Sequence, residues 1–428
     1  APWYVVSSIS SDNGVADSVY LEYDYHGAKI HLQGKGFLGF METTVTNELL
    51  NTSQIRTMDY DTIFYHPYPV SALQKSGSNN TQQSTTYTSI DNLDSKEFRP
   101  ITDSIRFQDY LSGTITTESF LYNNDGLVSV REIDFDDDAT ITNKYIYTKA
   151  GWHVASLPQY LTTEYKRGST MYDSTFYFYD SGTGNLIQKK EYCGTDLELT
   201  TKYQSYDSYG NPHKTIVIGK RGSNLAIDSV ETTISYSDCG RFITSKSGPL
   251  NFKESFEYDV SNGLLESKTE SDRLTKDYEY GPFNILKKKV YPDLMEEVTN
   301  LTWCTDQTES RPAGALFYQW KAASGSPPVK IFYDGMGREL RKATVGFGGD
   351  SIYMDTEYDS KGRVTKKSMP YFSTDEPSFT TYVYDSYGRI SSDTSPRGII
   401  TSYSYSNLQT DISVSLSLIH ISEPTRPY

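Results

Sequence analysis

The 428-residue chain has little cysteine, histidine or tryptophan. Its three cysteines, Cys193, Cys239 and Cys304, are odd in number and lack C-x-x-C spacing, so we expect isolated thiols in strands rather than a disulfide framework or metal site. The six histidines, at positions 26, 31, 66, 153, 213 and 420, form no H-E-x-x-H motif or close pair, and no Gly-x-Ser-x-Gly elbow occurs. The sequence therefore predicts no catalytic residue, no metal ligand and no cofactor.

Long apolar runs are also missing. No stretch of about 18 apolar residues occurs, so we expect no membrane span. The hydrophobic content of 36% is low for a compact globule but suits a sheet with one or both faces in water. A net charge of −15 with scattered Lys and Arg argues against a nucleic-acid partner, which would require a basic stripe.

Tyrosine, by contrast, is abundant, with 37 copies, and much of it belongs to a Tyr-Asp-x-x-Gly repeat. The clearest copies begin at Tyr206, Tyr333, Tyr358 and Tyr384. Looser copies begin at Tyr122, Tyr179, Tyr236, Tyr258 and Tyr280. From Tyr206 onward the starts lie 30, 22, 22, 53, 25 and 26 residues apart, a period typical of repeat architectures.

Each repeat reads as one β-hairpin. Asp favours the first position of a type I turn, and Gly at the fourth position tolerates positive φ. The residues before the turn alternate, as in Thr381-Tyr382-Val383-Tyr384, and a second strand resumes at Arg389. Because an isolated hairpin is marginal in water, we expect the hairpins to pair edge to edge into a continuous all-β sheet, in which Tyr builds the wall.

Two further roles follow from the repeat. Its Asp residues are expected to form turns, not paired catalytic carboxylates, because each stands at a fixed place before x-x-Gly. Arg338, Arg363 and Arg389, directly after the glycines, are expected to pair with neighbouring Asp residues along the stack. Such exposed pairs would each contribute little.

The sequence divides into regions of different regularity. Residues 1–110 form a β-rich region, with strands expected at Val19–Tyr25 and Lys29–Leu32 and an exposed loop, a plausible internal boundary, at Gln74–Thr86. Degenerate repeats occupy residues 111–300, and well-formed repeats occupy 331–415. Between them, residues 301–330 are a loop-rich insertion marked by Pro312, Pro327 and Pro328, and Asp306–Gly325 is expected to be its most irregular part.

Both ends of the sequence suggest a fragment. The chain starts at Ala1 without Met or a signal peptide, so we expect the true N-terminus to lie upstream. Residues 416–428 read like one frame of a sequencing adapter and break the Tyr-rich pattern. We expect them to be an artefact and the natural protein to continue past about residue 415.

Gly34–Gly39 fits the G-x-G-x-x-G pattern of dinucleotide sites, and Asp59 and Asp61 lie where a ribose-binding acid would be expected. Such a site needs a helix whose N-terminus faces the pyrophosphate. Residues 41–46 are instead rich in β-branched side chains and have no helical apolar stripe. We therefore interpret the glycines as a kink between strands.

Asp134-Phe135-Asp136-Asp137-Asp138 resembles the start of a calcium loop. However, Ala139 stands where the sharp-turn glycine belongs, and Tyr145 stands where the bidentate Glu belongs. An acidic, solvent-facing turn is the favoured interpretation. Titration calorimetry with calcium distinguishes the two, because a turn would give no binding heat.

The Tyr-Asp-x-x-Gly-Arg core resembles the YD repeat of the Rhs and teneurin-like families. The segment from Tyr25 to Phe40 is similar to the stretch that precedes such repeats in the B components of insecticidal toxin complexes and in SpvB-like virulence proteins, with Lys35 where Arg is usual. Together these resemblances cover most of residues 20–405. They imply stacked hairpins that coil as a spiral sheet into a hollow β-shell around a toxic C-terminal polypeptide. Family members often end in a self-cleaving aspartyl core motif and a variable toxin; neither, nor an ADP-ribosyltransferase domain, is found in this sequence.

The expected function is therefore that of a non-enzymatic structural fragment of a secreted or cell-surface bacterial toxin. Its expected partners are the encapsulated C-terminal toxin polypeptide and other toxin-complex or secretion components. A cell-surface adhesion protein that binds carbohydrate through exposed Tyr and Trp is the alternative. A third possibility is an enzyme whose active domain lies outside residues 1–428.

Overall fold

A computed structural model describes residues 4–14, 18–92, 97–149, 156–219 and 228–415. The regular secondary structure of these residues is almost entirely β-strand, which confirms the all-β prediction. Within those ranges the helical element is a short 3-10 turn at Pro282–Asn284. None of the described residues belongs to a helix that is long and apolar enough to cross a bilayer.

The strands follow one another with short connections. The first are β1 Ser8–Asp12, β2 Ser18–His26, β3 Lys29–His31, β4 Gly36–Gly39, β5 Glu42–Asn47, β6 Thr52–Tyr60, β7 Pro67–Ser76, β8 Asn79–Asn92 and β9 Phe98–Asp109. The next are β10 Ile115–Tyr122, β11 Val128–Phe135, β12 Thr140–Thr148, β13 Leu157–Arg167, β14 Ser169–Tyr179, β15 Leu186–Glu191, β16 Leu199–Tyr206, β17 Pro212–Gly219 and β18 Asp228–Tyr236.

The remaining strands run to residue 415. They are β19 Ile243–Ser247, β20 Lys253–Asp259, β21 Leu264–Thr269, β22 Thr275–Tyr280, β23 Leu286–Val290, β24 Glu296–Trp303, β25 Phe317–Ala323 and β26 Ser326–Tyr333. The last are β27 Glu339–Val345, β28 Ser351–Tyr358, β29 Val364–Ser368, β30 Tyr371–Phe372, β31 Phe379–Tyr384, β32 Ile390–Thr394, β33 Ile400–Ser406 and β34 Gln409–Ser415.

Most strands pair antiparallel with the strand that precedes or follows them. One large antiparallel sheet contains 32 of the strands, and β3 and β4 form a separate two-stranded sheet. A β-bulge accompanies each of these turns: the register shifts where a strand reaches the Tyr of its repeat, as at Phe332/Tyr333, Glu357/Tyr358 and Val383/Tyr384. The prediction that each repeat is a hairpin is therefore confirmed.

The chain forms two compact units. Unit 1 comprises Ala1–Thr85, Gln108–Thr114 and Thr299–Tyr428, and unit 2 comprises Thr86–Phe107 and Ile115–Val298. Unit 1 therefore joins the first and last parts of the chain. In unit 2 consecutive strands pair in sequence order, and aromatic side chains pack against each other across them, as Tyr160 and Phe176 do with ring centroids 4.1 Å apart. The four regions expected from the sequence were defined by how regular the repeat is, whereas the two units are defined by contacts between residues. The four regions stay a prediction.

Few side chains are fully covered. The buried apolar residues among the described ranges are Ile101, Ala315, Phe332 and Ala343. The last three form one cluster in unit 1, against which Cys304, Tyr318, Leu340 and Tyr353 pack. Elsewhere exposure alternates along the strands, as in β2, which fits the predicted sheet with wetted faces.

Two local expectations from the sequence are wrong. Gln74–Thr86 is not a loop, because it forms the end of β7 and the start of β8, joined by a tight turn at Gly77. The three cysteines are free thiols, but they lie in turns or connections, not in strands. The expectation for Asp306–Gly325 is wrong in part, because β25 already begins at Phe317; the irregular stretch of the proline-marked insertion is 304–316. The adapter-like residues 416–428 lie outside the described residues.

Candidate functional site

The repeat turns, hereafter the Tyr-Asp turns, are built around one carboxylate each. In the clearest copies the Asp Oδ1 atom accepts hydrogen bonds from the backbone N–H groups two and four residues later. The distances are 2.9 and 2.9 Å at Asp334, 3.0 and 2.9 Å at Asp359, 2.9 and 2.9 Å at Asp385, and 2.9 and 2.9 Å at Asp207. These Asp side chains therefore hold the turn, as predicted.

The glycine completes each turn. Gly337, Gly362 and Gly388 have φ values of 77°, 79° and 81°, in the left-handed region that glycine occupies without strain. Their N–H groups donate to the carbonyl oxygens of Asp334, Asp359 and Asp385 at 3.1, 2.9 and 3.1 Å. The expected first-position Asp and fourth-position Gly are both confirmed.

The arginines behave differently from the prediction. Arg338, Arg363 and Arg389 do not pair with an Asp of a neighbouring repeat. Each guanidinium Nε donates to Oδ2 of the Asp four residues earlier in its own turn, at 2.7, 2.8 and 2.8 Å. The bulged turn brings these two side chains together, and the resulting pairs are largely covered, so they contribute more than exposed pairs do.

Two of these carboxylates show the balance between burial and hydrogen bonding. Burial disfavours the charged forms of Asp359 and Asp385. The backbone and guanidinium hydrogen bonds from Arg363 and Arg389 nevertheless lower the pKa of each carboxyl below its usual value. Both groups therefore stay ionised and paired at neutral pH.

Neighbouring repeats are joined by arginine and tyrosine. The guanidinium carbon of each turn lies over the tyrosine ring on a following strand, and the distances to the ring centroid are 5.1 Å for Arg338 and Tyr358, 4.5 Å for Arg363 and Tyr384, and 4.2 Å for Arg389 and Tyr405. The hydroxyl of that tyrosine donates to the backbone carbonyl directly after the arginine. Arginine therefore links neighbouring repeats, as predicted. Its partner in the next repeat is a tyrosine ring, however, and not a carboxylate.

The same tyrosine bond recurs in both units. In each case a tyrosine hydroxyl donates to a backbone carbonyl 15 to 21 residues earlier, and we call these contacts the tyrosine bonds. They are Tyr25 to Val6, Tyr122 to Thr102, Tyr147 to Val128, Tyr179 to Pro158, Tyr206 to Leu186, Tyr358 to Glu339, Tyr384 to Val364 and Tyr405 to Ile390. Tyr25, Tyr147 and Tyr405 are not part of a Tyr-Asp-x-x-Gly motif, so no sequence motif predicts their bonds.

Tyr384→Phe tests the tyrosine bonds. The hydroxyl donates to the Val364 carbonyl oxygen at 2.7 Å in a part-buried position. Without it that carbonyl loses its partner, and we expect the free energy of unfolding in urea to fall by about 1 kcal/mol. Tyr382→Phe is the matched control, because its hydroxyl bonds to none of the described residues; it should change stability by less than about 0.5 kcal/mol. Equal effects would contradict this role.

The clear copy in unit 2 keeps the same turn with other contacts. In unit 2, Asn211 replaces arginine after the glycine, and its amide bonds both Asp207 Oδ2 at 3.0 Å and the Gly240 carbonyl of the next turn at 2.8 Å. The backbone N–H of Asn211 contributes most to lowering the pKa of Asp207. The Tyr209 ring covers Gly240 so closely that a Cβ there would overlap it, so this glycine is needed for space as well as for its φ of 68°.

In unit 1 the Tyr-Asp turns also bind the N-terminal part of the chain. Arg338 Nη2 donates to the Asn13 carbonyl at 2.8 Å, and Asn13 Nδ2 donates to the Ser360 carbonyl at 2.7 Å. Ser76 Oγ donates in the same way to the Ser386 carbonyl at 3.1 Å. Ser360 and Ser386 each directly follow the Asp of their turn. One row of turns thus provides repeated acceptors for side chains more than 300 residues away in sequence.

A second polar network fixes the irregular stretch 304–316. Arg341 forms two hydrogen bonds with Asp355, at 2.6 and 2.7 Å, and lies 4.5 Å from the Tyr353 ring centroid. Tyr371 donates to Asp355 at 2.7 Å, while Ser310 and Tyr353 share a hydroxyl bond of 2.8 Å. No sequence motif connects these five residues. The network holds the irregular stretch on the strands that carry the buried cluster.

Alkaline pH tests the buried phenols. Burial and then the hydrogen bond to Asp355 raise the pKa of Tyr371 from 10.0 to about 12. Burial also raises the pKa of many other tyrosines, including Tyr179, Tyr206, Tyr333 and Tyr358. Since the folded pKa values lie above the unfolded value of 10.0, their contribution to stability is complete below pH 10 and is lost as pH rises through the folded values.

We therefore expect the far-ultraviolet strand signal to be lost as pH rises from about 10 to about 12, together with the late part of the tyrosinate absorbance change. Tyr371→Phe should remove the latest-titrating phenol from that absorbance change. If all tyrosines ionised near pH 10 with the strand signal intact, the phenols would not be protected by the fold.

The glycine-rich segment is part of a small hairpin. Lys29–His31 pairs with Gly36–Gly39. Gly34 lies between these two strands and Gly36 begins the second one, and both glycines have positive φ. The next element is the strand Glu42–Asn47, where a dinucleotide site would require a helix. The structure therefore shows the kink between strands that we expected.

The acidic run lies at a hairpin turn. Asp134 and Phe135 end β11, Asp138 adopts a φ of 62°, and Asp137 accepts from the Ala139 N–H at 3.3 Å and pairs with Arg167. In the part of the chain that the structure describes, no three His, Cys, Asp or Glu side chains come close enough to hold a metal ion. His213 lies 3.7 Å from Asp207, and positions 153 and 420 fall outside the described residues.

Comparison with known proteins identifies the fold. No family model and no curated protein matches the sequence. The solved structure of TcdB2-TccC3-TEV aligns with a TM-score of 0.52 and 9% identity over 91% of this chain and 33% of that chain. TcdB2-TccC3 aligns with a TM-score of 0.52 and 10% identity over 91% and 31%. This chain thus spans about a third of the length of those chains and shares their fold.

Proposed function

We propose that this chain is a non-enzymatic structural part of a bacterial Rhs or toxin-complex-type protein, whose repeat sheet encloses a C-terminal toxin polypeptide. The observation that carries the proposal is the shared fold with TcdB2-TccC3 over 91% of the chain. The repeat geometry supports it, since the Tyr-Asp turns use their carboxylates, glycines and arginines to build and join hairpins. Their polar groups serve the wall rather than a reaction.

Containment requires a sheet that presents few free strand edges. Strands such as β6, which pairs with β5 and β7, have both edges occupied. In unit 1 the bonds from Asn13 and Ser76 to the Tyr-Asp turns connect early strands to late repeats. Such closure keeps a partly folded toxin polypeptide away from other chains, and it keeps the repeat sheet from aggregating. We propose that the protein acts outside the cell that makes it, with other toxin-complex or secretion components as partners.

Protease protection tests this proposal. The chain is expressed together with the coding sequence that follows it, and the native product is digested with a broad-specificity protease. We expect the downstream polypeptide to survive under conditions that destroy it when it is expressed alone. The double variant Tyr358→Phe/Tyr384→Phe, which removes two tyrosine bonds, should shorten that survival. Digestion at the same rate with and without this chain would overturn containment.

A carbohydrate-binding adhesion role is the second candidate, and exposed aromatic side chains favour it. Trp303, Tyr172 and Tyr209 are 74%, 69% and 63% exposed. Aromatic rings of this kind offer flat apolar faces on which sugar rings stack. Binding to a glycan array that is lost in Trp303→Ala and Tyr172→Ala would support adhesion, and unchanged binding would exclude these rings as the contact.

A further inference from the structure

A cavity of about 590 Å³ lies inside unit 1. One rim is formed by the ends of β6 and β7, with Thr52 and Gln54 facing Ser76 and Gln74 in the strand register. The other rim is formed by two consecutive Tyr-Asp turns at residues 361–363 and 386–388. The hydrogen bond between Ser76 and the Ser386 carbonyl joins the two rims. Its volume lies in the range of ligand-binding pockets, about 300–1,000 Å³.

The charge of this cavity is opposite to that of the chain. Lys75, Lys361 and Arg363 line it, and no Asp or Glu is among its described lining residues, although the net charge is −15. Arg363 is paired with Asp359 at 2.7 Å. Lys75 and Lys361 form no ion pair with any residue in the described ranges. A concave surface that carries uncompensated positive charge concentrates anions.

The remaining polar lining is neutral and can both donate and accept hydrogen bonds. It consists mainly of amides and hydroxyls, such as Gln54, Gln74 and Thr52. Gln82 is held from outside by a 3.2 Å bond from its Nε2 to Asp109. Groups that both donate and accept match the hydroxyl groups of a sugar, which do the same. The Tyr387 ring adds an aromatic surface.

Other anionic ligands fit this lining less well. An extended peptide needs a free strand edge, and β6 pairs with β5 and β7, while β7 pairs with β6 and β8. Inorganic phosphate is bound most effectively by clustered backbone N–H groups at a helix N-terminus or a glycine-rich nest. Beside the two lysines this lining carries several neutral amides and hydroxyls, which suits a ligand of several polar units.

We propose that this cavity binds an acidic oligosaccharide. Its carboxylate or sulfate groups contact Lys75 and Lys361, and its hydroxyl groups bond to the amides and hydroxyls of Gln54, Gln74 and Thr52. None of the exposed aromatic residues considered for adhesion lines the cavity. The site is also independent of the proposed enclosure of a toxin, because ligand binding here requires neither a toxin polypeptide nor a closed sheet.

Titration calorimetry of the full chain tests the proposal. The probes are tetragalacturonate, the neutral tetrasaccharide maltotetraose, a heparin-derived tetrasaccharide and inorganic phosphate. We expect one or both acidic tetrasaccharides to bind and the other two probes to bind at least about tenfold more weakly. Binding should weaken with added salt, because the charges of Lys75 and Lys361 contribute to it and salt screens them.

Variants locate the site. Lys75→Gln/Lys361→Gln should weaken binding of the acidic tetrasaccharide about tenfold while leaving the circular dichroism spectrum unchanged. Lys367→Gln removes an exposed lysine of β29 that does not line the cavity and should change nothing. Three results would each overturn the proposal. They are an equal affinity for maltotetraose or for phosphate, an unchanged dissociation constant for the acidic tetrasaccharide in the double variant, and no binding of either acidic probe.

Discussion

Asp334→Ala should lower the free energy of unfolding of unit 1 by about 3–5 kcal/mol, because it breaks a covered ion pair from one side. The Asp334 side chain is 2% exposed and that of Arg338 is 18% exposed. The carboxylate accepts the N–H groups of Met336 and Arg338 and the Arg338 guanidinium. Its removal leaves three donors and one positive charge without their main acceptor. Urea denaturation followed by circular dichroism measures the change.

The equivalent turn at Asp385 is the matched control. Its carboxylate makes the same three bonds, but its side chain is 21% exposed, so water can replace part of what is lost. Asp385→Ala should therefore cost about 1–3 kcal/mol. Equal costs at the two positions would show that burial does not determine the strength of this pair.

The turns were predictable from the sequence because their determinants are local. Asp at the first position and Gly at the fourth carry their conformational preferences in any context, and Gly337 and Gly362 adopt the expected positive φ. The partner of Arg338 was not predictable in this way. Only the bulged geometry shows that a side chain four residues after Asp334 returns to the same carboxylate.

The segment Gln74–Thr86 is polar throughout, and this composition wrongly indicates a loop. In a sheet with few covered side chains, a strand does not need an apolar face. Polar cross-strand pairs such as Gln74 with Gln82 and Lys75 with Asn80 are sufficient to stabilise the strand in the sheet. Polarity is therefore a weak sign of a loop in this fold, whereas Gly77 correctly marks the turn.

Long-range contacts left no trace in the sequence. The bonds from Asn13 to Ser360 and from Ser76 to Ser386 join residues 347 and 310 positions apart. The second of these bonds lies at the cavity, whose lining comes from both early strands and late turns. Family resemblance implied a coiled sheet, but it did not identify which side chains meet where the early strands reach the repeats.

Phe332→Ala should have an effect as large as Asp334→Ala, about 3–5 kcal/mol, because it leaves a cavity in the small apolar cluster. Phe332 is 0% exposed and packs with Ala315 and Ala343. Its ring centroid lies 5.5 Å from that of Tyr318. So few side chains are covered in this sheet that no neighbouring core can compensate. Phe347→Ala, at a fully exposed ring, is the control and should change stability by less than about 0.5 kcal/mol.

Cys304 gives the Phe332 variant a second, local readout. Its thiol packs against the same cluster, and burial raises its pKa, which slows reaction with thiol reagents. Loosening of the cluster should therefore speed the modification of Cys304, measured by mass spectrometry after timed labelling. Cys239, whose pKa is lowered mainly by its hydrogen bond with Ser237, reports any general change in reactivity. If Cys304 kept its wild-type rate while the variant lost stability, the loosening would not extend to the irregular stretch, and the polar network around Arg341 would hold that stretch without help from the cluster.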